Sequence, residues 1–400
     1  MADTKILFLV ADGMGDWRVD GLGGRTPLEA APTPNMDSLA SRCIAGTIST
    51  VPSGMPPGSD VANMSLIGFD PAAHHTGRGP IEAAAQGLKL RPDDLVWRLN
   101  LVSLTAPDAM GTMLDYSAGH IDTASSLPLV EDLEHHLGDD TFTFVPGIQY
   151  RHLLVQRGGA NSPEAAFAVR PPHDITGQSI AQDMATLATS PRLLALFHAA
   201  AERLNTPANA TRATGIWPWG QGRPLALPDF SDAYGLRGAV ISAVDLVKGL
   251  GRASGMAVID VPGATGLLDT NYAGKVAAAL DFLNTGGQFA FVHLEGPDEC
   301  GHSGIVADKV EAVRRFDERI VGPLTQALAG TDTAIVVTCD HFTPLACRTH
   351  TTDPVPFLLH HASATAHGLP GFSEAHAAAT GFTISPGHDI VRRILEIIRP

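Results

Sequence analysis

Three aspartates and three histidines stand where a folded chain could gather them around cations. Asp12 closes the apolar run over residues 5–11. Asp298 and His302 lie in Glu295-Gly-Pro-Asp-Glu-Cys-Gly-His302, after a second run at 289–294. Asp340 and His341 follow a third at 333–339, and His350 comes just downstream. Each run reads as a buried parallel strand, and parallel strands align their carboxyl ends, so the side chains that follow them can meet at one edge of a sheet. Mixed carboxylate and imidazole donors suit Mn2+ or Zn2+ better than a structural thiolate site, and six donors are enough for two neighbouring ions. Alone, a strand-end Asp is usually a turn or helix cap and a lone His a hydrogen-bonded surface residue. The set, with no member in a strand interior, is what points to metal. Cys339 continues its apolar strand and reads as packing rather than as a ligand.

A nucleophile candidate lies in Pro56-Pro-Gly-Ser-Asp-Val-Ala-Asn63, where a Pro/Gly loop turns into a helix at Ser59. Unpaired N–H groups and the helix dipole at such an N-terminus favour an incoming phosphate. The plainer reading of Ser59 is an N-cap. A cation at the serine oxygen would lower its pKa and make it a nucleophile, and Asn63, one turn on, would face the same cleft.

These groups need a framework. Strands are expected at 5–11, 238–242, 256–261, 289–294 and 333–339, and helices at 35–44, 244–251, 275–283 and, amphipathic, at 308–329. From about residue 80 to 231 the strands look shorter and the turns more polar, and 205–227 reads as a loop carrying Trp217-Pro-Trp219-Gly-Gln-Gly222. The fold class is therefore α/β: a doubly wound core from residues 1–79 and 232–400, interrupted by a smaller inserted α+β domain at 80–231. No repeat of solenoid length recurs.

Composition narrows the function further. The chain has 400 residues, 27 Lys+Arg against 42 Asp+Glu, and a formal charge of −15. It has no basic surplus or polybasic run for nucleic acid or a membrane surface, and no apolar stretch approaching the roughly 20 residues of a membrane helix. The apolar run at 6–10 is too short for a secretory signal. Cys43, Cys300, Cys339 and Cys347 lack disulfide-type spacing, which suits a reducing cytoplasm.

At these residues the sequence resembles the alkaline phosphatase superfamily and, within it, the archaeal-type cofactor-independent phosphoglycerate mutases. The marks are Asp12-Gly-Met-Gly-Asp16, Gly24-Arg-Thr-Pro-Leu-Glu29, Thr33-Pro-Asn-Met-Asp37, Pro57-Gly-Ser-Asp60, Gly77-Arg-Gly79, Pro297-Asp-Glu-Cys-Gly-His302, Asp340-His341 and His350-Thr-Thr-Asp-Pro-Val-Pro356. The resemblance implies an alkaline-phosphatase-like core and two divalent ions, Mn2+ foremost, with Zn2+, Mg2+ or Co2+ as alternatives, and no need for 2,3-bisphosphoglycerate. Asp298, His302 and His350 would bind one ion. Asp12, Asp340, His341 and Ser59 would bind the other, with Ser59 the phosphorylated nucleophile. It further implies interconversion of 3- and 2-phosphoglycerate, a small phosphorylated metabolite, in glycolysis and gluconeogenesis, with the inserted domain closing over the substrate.

Candidate contacts are then Asn63, His120, His152, Arg78, Arg151 and Lys248, the last three holding carboxylate or phosphate, with Asp174 or His173 moving the hydroxyl proton. Archaeal-type mutases usually show a Leu-Leu-Arg-Gly-Ala-Gly-like stretch where this chain has Ile216-Trp-Pro-Trp-Gly-Gln-Gly222, so the expected arginine is absent unless Arg223 replaces it. The Asp-Tyr-Ser-Ala-Gly-His and Trp-Gly-Gln-Gly variant looks like a bacterial subgroup proposed to contain homoserine kinases of threonine biosynthesis. Such a phosphotransferase is one alternative and a metal-dependent phosphatase is another. With no phosphate-binding loop of the G-x-x-x-x-G-K-[ST] kind, ATP would have to use the metal–serine cleft.

Overall fold

A computed structural model describes residues 4–399. Its contacts define two units, Met1–His75 with Ala226–Pro400, and Thr76–Leu225. Along the chain the strands are β1 (Lys5–Ala11) and β2 (Ile44–Ile48) in the first unit, then β3 (Leu95–Leu104), β4 (Met113–Asp115), β5 (Phe142–Ile148), β6 (Arg151–Gln156) and β7 (Gly215–Gly222) in the second. The first unit resumes with β8 (Gly238–Ile241), β9 (Ala257–Val258), β10 (Phe289–Leu294), β11 (Thr333–Thr338), β12 (Val355–His360) and β13 (Thr383–Ile384). The sequence reading put the joints at 79/80 and 231/232. Both fall earlier, at 75/76 and 225/226, the first because helix Arg78–Ala85 packs on β3 and β7 and so belongs to the second unit.

The core sheet has the order β13-β2-β12-β11-β1-β10-β8-β9. β11, β1, β10, β8 and β9 are mutually parallel, whereas β12 runs antiparallel to β11. β1, β10 and β11 are almost wholly buried, as their unbroken apolar sequences require of strands covered on both faces. No described helix is long and apolar enough to cross a membrane.

Three expected elements differ. Residues 35–44 were expected as one helix, but the helix is Pro34–Ala40, and Ile44-Ala-Gly-Thr-Ile48 forms β2 between β12 and β13. The expected helix 308–329 is broken into Val306–Phe316, a π-helical turn at Asp317–Val321 and Gly322–Ala327. Pro323 has no N–H to continue the ladder, and buried Asp317 accepts from the N–H groups of Asn35 (3.2 Å) and Met36 (2.7 Å), capping the neighbouring helix. The expected strand 256–261 shrinks to Ala257–Val258 at the sheet edge.

In the second unit β3 is flanked by β6 and β7, with β4 at its far end and β5 outside β6. The expected loop 205–227 therefore contains a strand. Pro218 is tolerated in β7 because among the described strands β7 pairs with β3 alone, leaving an edge where a missing N–H breaks no ladder. Trp217 is fully buried and its Nε1 donates to the Arg170 carbonyl at 2.9 Å, so it packs within this unit.

Glu374 ties the loop after β1 to the C-terminal region, accepting from Asp16 N at 3.2 Å and Thr26 Oγ1 at 2.8 Å. Burial pushes its carboxyl from 4.5 up to about 7. A raised carboxyl pKa means that the folded state holds the proton more tightly, so this contribution is complete below pH 4.5 and is lost as pH rises toward 7. Glu374→Gln should therefore gain about 1–2 kcal/mol over the parent at pH 8 and little at pH 4.5, as read by denaturant unfolding at both. A gain that is equal at the two pH values would contradict the assignment.

Candidate metal centre

The sheet explains why residues so distant in sequence meet. β1, β10 and β11 end at the same edge, which places Asp12, the helix Gly296–Ser303 and Asp340-His341 side by side. β12 is antiparallel, so it begins at that edge, and His350 arrives just before it. Asp298 and His302 are four residues apart on one helical face, with His302 Nε2 3.2 Å from Asp298 Oδ2.

Two groups result. In one, His302 Nε2 lies 3.1 Å from His350 Nε2, and His350 Nε2 lies 3.5 Å from Asp298 Oδ1. In the other, Asp12 and Asp340 converge with His341, whose Nε2 is 3.3 Å from Asp12 Oδ1 and 3.4 Å from Asp340 Oδ2. His341 stands between the groups, its ring 4.1 Å from that of His350. All six sequence candidates are thus brought together. Ser59 joins them as the first residue of helix Ser59–Ile67, its Oγ 3.1 Å from His341 Nε2, while Gly58 takes the N-cap position.

One member was missed. His293, fully buried, lies inside β10 with Nε2 3.0 Å from Asp12 Oδ2, and it completes a metal-capable triad with Asp12 and Asp340. It lies inside a strand, where none of the six sequence candidates does. In the penultimate position of β10, a side chain already reaches the carboxyl edge, and a single imidazole in Phe-Ala-Phe-Val-His-Leu was the available signal.

The donor set fits cations. Asp12 Oδ1 and His293 Nε2 are buried without a hydrogen-bond partner although each has an oppositely polar atom near it, so lone pairs converge rather than pair. Burial, then Asp340, Asp298 and Glu295, drives the Asp12 carboxyl well up from its ordinary value. Burial also acts on Asp298 but is outweighed by hydrogen bonds from His302 and His350, which hold it well down; in return, the bond to Asp298 lifts His302 to about 9. Burial pushes His293 down to about 4 and lowers His341. The Thr343 hydroxyl donates to Asp298, so the Nδ1 of His341, 3.2 Å away, must donate to Thr343, and its Nε2 lone pair faces Ser59 and the carboxylates. His302 Nδ1 likewise donates to the Arg348 carbonyl at 2.9 Å, aiming Nε2 inward.

A buried lysine braces this edge. Lys309 Nζ donates to Asp16 Oδ2 (2.7 Å), Thr343 O (2.6 Å) and Gly15 O (3.3 Å), joining the loop of Asp12 to that of Asp340. Gly13 allows the approach: at φ +60, an added Cβ would stand 2.6 Å from Asp298 Oδ1.

Other expected contacts are placed differently. Asn63 is fully buried, its Nδ2 donating to Asp340 Oδ2 at 2.7 Å and to Ser59 O at 2.9 Å, so it ties the helix of Ser59 to Asp340 instead of opening to the cleft. The Lys248 ammonium is paired with Asp260 at 2.7 Å. His152, expected at the substrate, is 1% exposed on β6; it accepts from Gly147 N, and burial drops it to about 4. Exposed Arg151 lies over Tyr150, and Arg223 donates to Asn161. His120 sits beside Tyr116, and His173 and Asp174 are 3.7 Å apart on an open turn.

Lys309→Met should cost about 3–5 kcal/mol in urea unfolding, because it strands the Asp16 carboxylate in the interior. Adding Asp16→Asn should recover part of that loss. A cost under about 1 kcal/mol would show the brace to be dispensable.

A model of the metalloenzyme superfamily matches residues 4–389. The chain is 44% identical over 366 residues to a 2,3-bisphosphoglycerate-independent phosphoglycerate mutase of Methanosarcina mazei, covering 89% of this chain and 90% of that one. It is 41% identical over 401 residues to the enzyme of that name from Methanothrix thermoacetophila, covering 98% and 99%. Among solved structures, a Pyrococcus horikoshii protein superposes with a TM-score of 0.82 at 27% identity, over 99% of this chain and 97% of that one. With these matches running nearly end to end, the chain belongs to the metalloenzyme superfamily and, within it, to the 2,3-bisphosphoglycerate-independent phosphoglycerate mutases.

Proposed function

We propose that this protein interconverts 3-phosphoglycerate and 2-phosphoglycerate through a phosphoserine at Ser59, without 2,3-bisphosphoglycerate. The observation that carries the reading is the Ser59 hydroxyl at a helix N-terminus, 3.1 Å from a His341 nitrogen whose lone pair faces it, beside the converging carboxylates. Asp298, His302 and His350 would hold one ion, and Asp12, Asp340 and His341 with Ser59 the second; His341 also lies within reach of Asp298 and His350, and His293 adds a donor beside Asp12. Two divalent ions there, Mn2+ first among them, would offset charge on the transferring phosphoryl group and favour ionised serine.

Ser59 Oγ attacks phosphorus as the bond to the C3 oxygen breaks, and the departing oxygen takes up a proton. The retained glycerate then attacks phosphoserine through its C2 hydroxyl, which gives up a proton, so the net reaction is an isomerisation. His173 or Asp174 is the reading's proton carrier, and retention of glycerate is assigned to the inserted unit. Helix N–H groups at Ser59 orient the phosphate. Four free cysteines accord with the cytoplasmic setting this reading implies.

Phosphorus NMR of Mn2+-loaded protein with 3-phosphoglycerate should show 2-phosphoglycerate without free phosphate, and Ser59→Ala should abolish it. Free phosphate alone would indicate a phosphatase, and phosphohomoserine from ATP plus homoserine, with no 2-phosphoglycerate in the first tube, would sink the mutase reading. For the metal arrangement, His293→Ala should weaken Mn2+ binding about tenfold by calorimetry. Unchanged affinity would exclude His293 from the centre.

A further inference from the structure

The second unit carries a built arrangement of arginines on an indole. Arg98 of β3 is directly opposite Trp219 of β7, and its guanidinium lies 4.9 Å from the Trp219 ring, with that of Arg78 at 5.9 Å. The indole is fixed edge-on: its Nε1 donates to Asn100 Oδ1 at 3.1 Å, and Asn100 Nδ2 donates to Tyr116 O at 3.0 Å. Trp219 is only 5% exposed, so it is a plate beneath the cations rather than a surface contact.

Charge is unevenly shared on that plate. Glu82 Oε1 is 2.8 Å from Arg98 and 3.5 Å from Arg78. Arg98, with a side chain 6% exposed, takes the carboxylate at hydrogen-bond distance; Arg78, 39% exposed, meets it only as a longer ion pair, and its Nε makes no hydrogen bond. One carboxylate against two guanidiniums leaves a surplus positive charge, carried by the arginine that solvent can reach. The ring of His173 stands 5.5 Å from the same indole, with a side chain 45% exposed. A planar guanidinium laid on an aromatic face keeps its N–H fork free for a planar anion, which a flexible ammonium would not do.

We propose that Trp219 is the positioning residue for carboxylate recognition: by holding Arg98 and Arg78 it presents Arg78 to the carboxylate of the three-carbon acid, and so sets specificity for an acid over an uncharged alcohol. This rests on the mutase reading above. In a stretch where the resemblance led one to expect arginine, the indole thus gathers guanidiniums from β3 and from helix Arg78–Ala85.

The test is steady-state mutase kinetics on the full-length Mn2+-loaded protein, with glycerate and inorganic phosphate as competing inhibitors. Trp219→Leu should raise KM for 3-phosphoglycerate and the inhibition constant of glycerate about tenfold each, leave kcat within about threefold, and move the phosphate constant by less than about twofold. Trp219→Phe, which keeps the aromatic face, should restore KM to within about threefold of the parent. A wild type that does not interconvert the phosphoglycerates overturns the mutase reading and this inference with it. An active wild type whose Trp219→Leu variant keeps its KM, or weakens glycerate and phosphate equally, overturns the inference alone.

Discussion

The constraint that organises this molecule is like-charge repulsion among Asp12, Asp298 and Asp340, three carboxylates buried at one sheet edge. Carboxylates in so dry a place cannot all remain ionised without positive charge among them. The chain supplies part of it: His302 and His350 hold Asp298 in its charged form, whereas Asp12, buried and beside Asp340, is driven the other way. What is left is a deficit of positive charge at atoms whose lone pairs already converge, and a divalent cation is the simplest group to fill it. The buried strands, the short helix bearing Asp298 and His302, and the antiparallel entry of His350 all serve to hold that unfavourable geometry still.

Such an edge also needs bracing that does not compete for the cations. Lys309 neutralises Asp16 and ties two loops through backbone carbonyls, remaining clear of the metal-capable oxygens. Thr343 joins Asp298 to His341, and Asn63 joins Asp340 to the first turn of the serine helix. Thr343 and Asn63 hold carboxylate oxygens of the centre itself, and the Thr343 hydroxyl fixes the His341 tautomer so that its Nε2 lone pair turns toward Ser59.

Much of this was legible because the signal was local. A run such as Ile-Leu-Phe-Leu-Val-Ala followed by Asp declares both a buried strand and a residue at its carboxyl end, and three such runs declare the edge. What escaped was set by tertiary context. His293 was hidden because the rule of looking after strands passes over a penultimate strand residue. β2 contains glycine and a short β-branched pattern whose partners are about 300 residues away, so nothing nearby announces it. β7 holds a proline and reads as a loop until β3 is known to leave it on an edge. Asn63 was placed on the right face, but the partner that turned its amide inward, Asp340, could not be read from spacing.

The overall charge of −15 disfavours an approaching anion at long range, and the two units meet this constraint differently. The core concentrates acids and thereby creates a demand for positive charge that divalent cations would meet. In the inserted unit Glu82 stands against both Arg78 and Arg98, and the Trp219 indole lies beside the two guanidiniums. An aromatic face attracts cations without cancelling their charge, so the arginines are restrained and yet remain attractive to an anion.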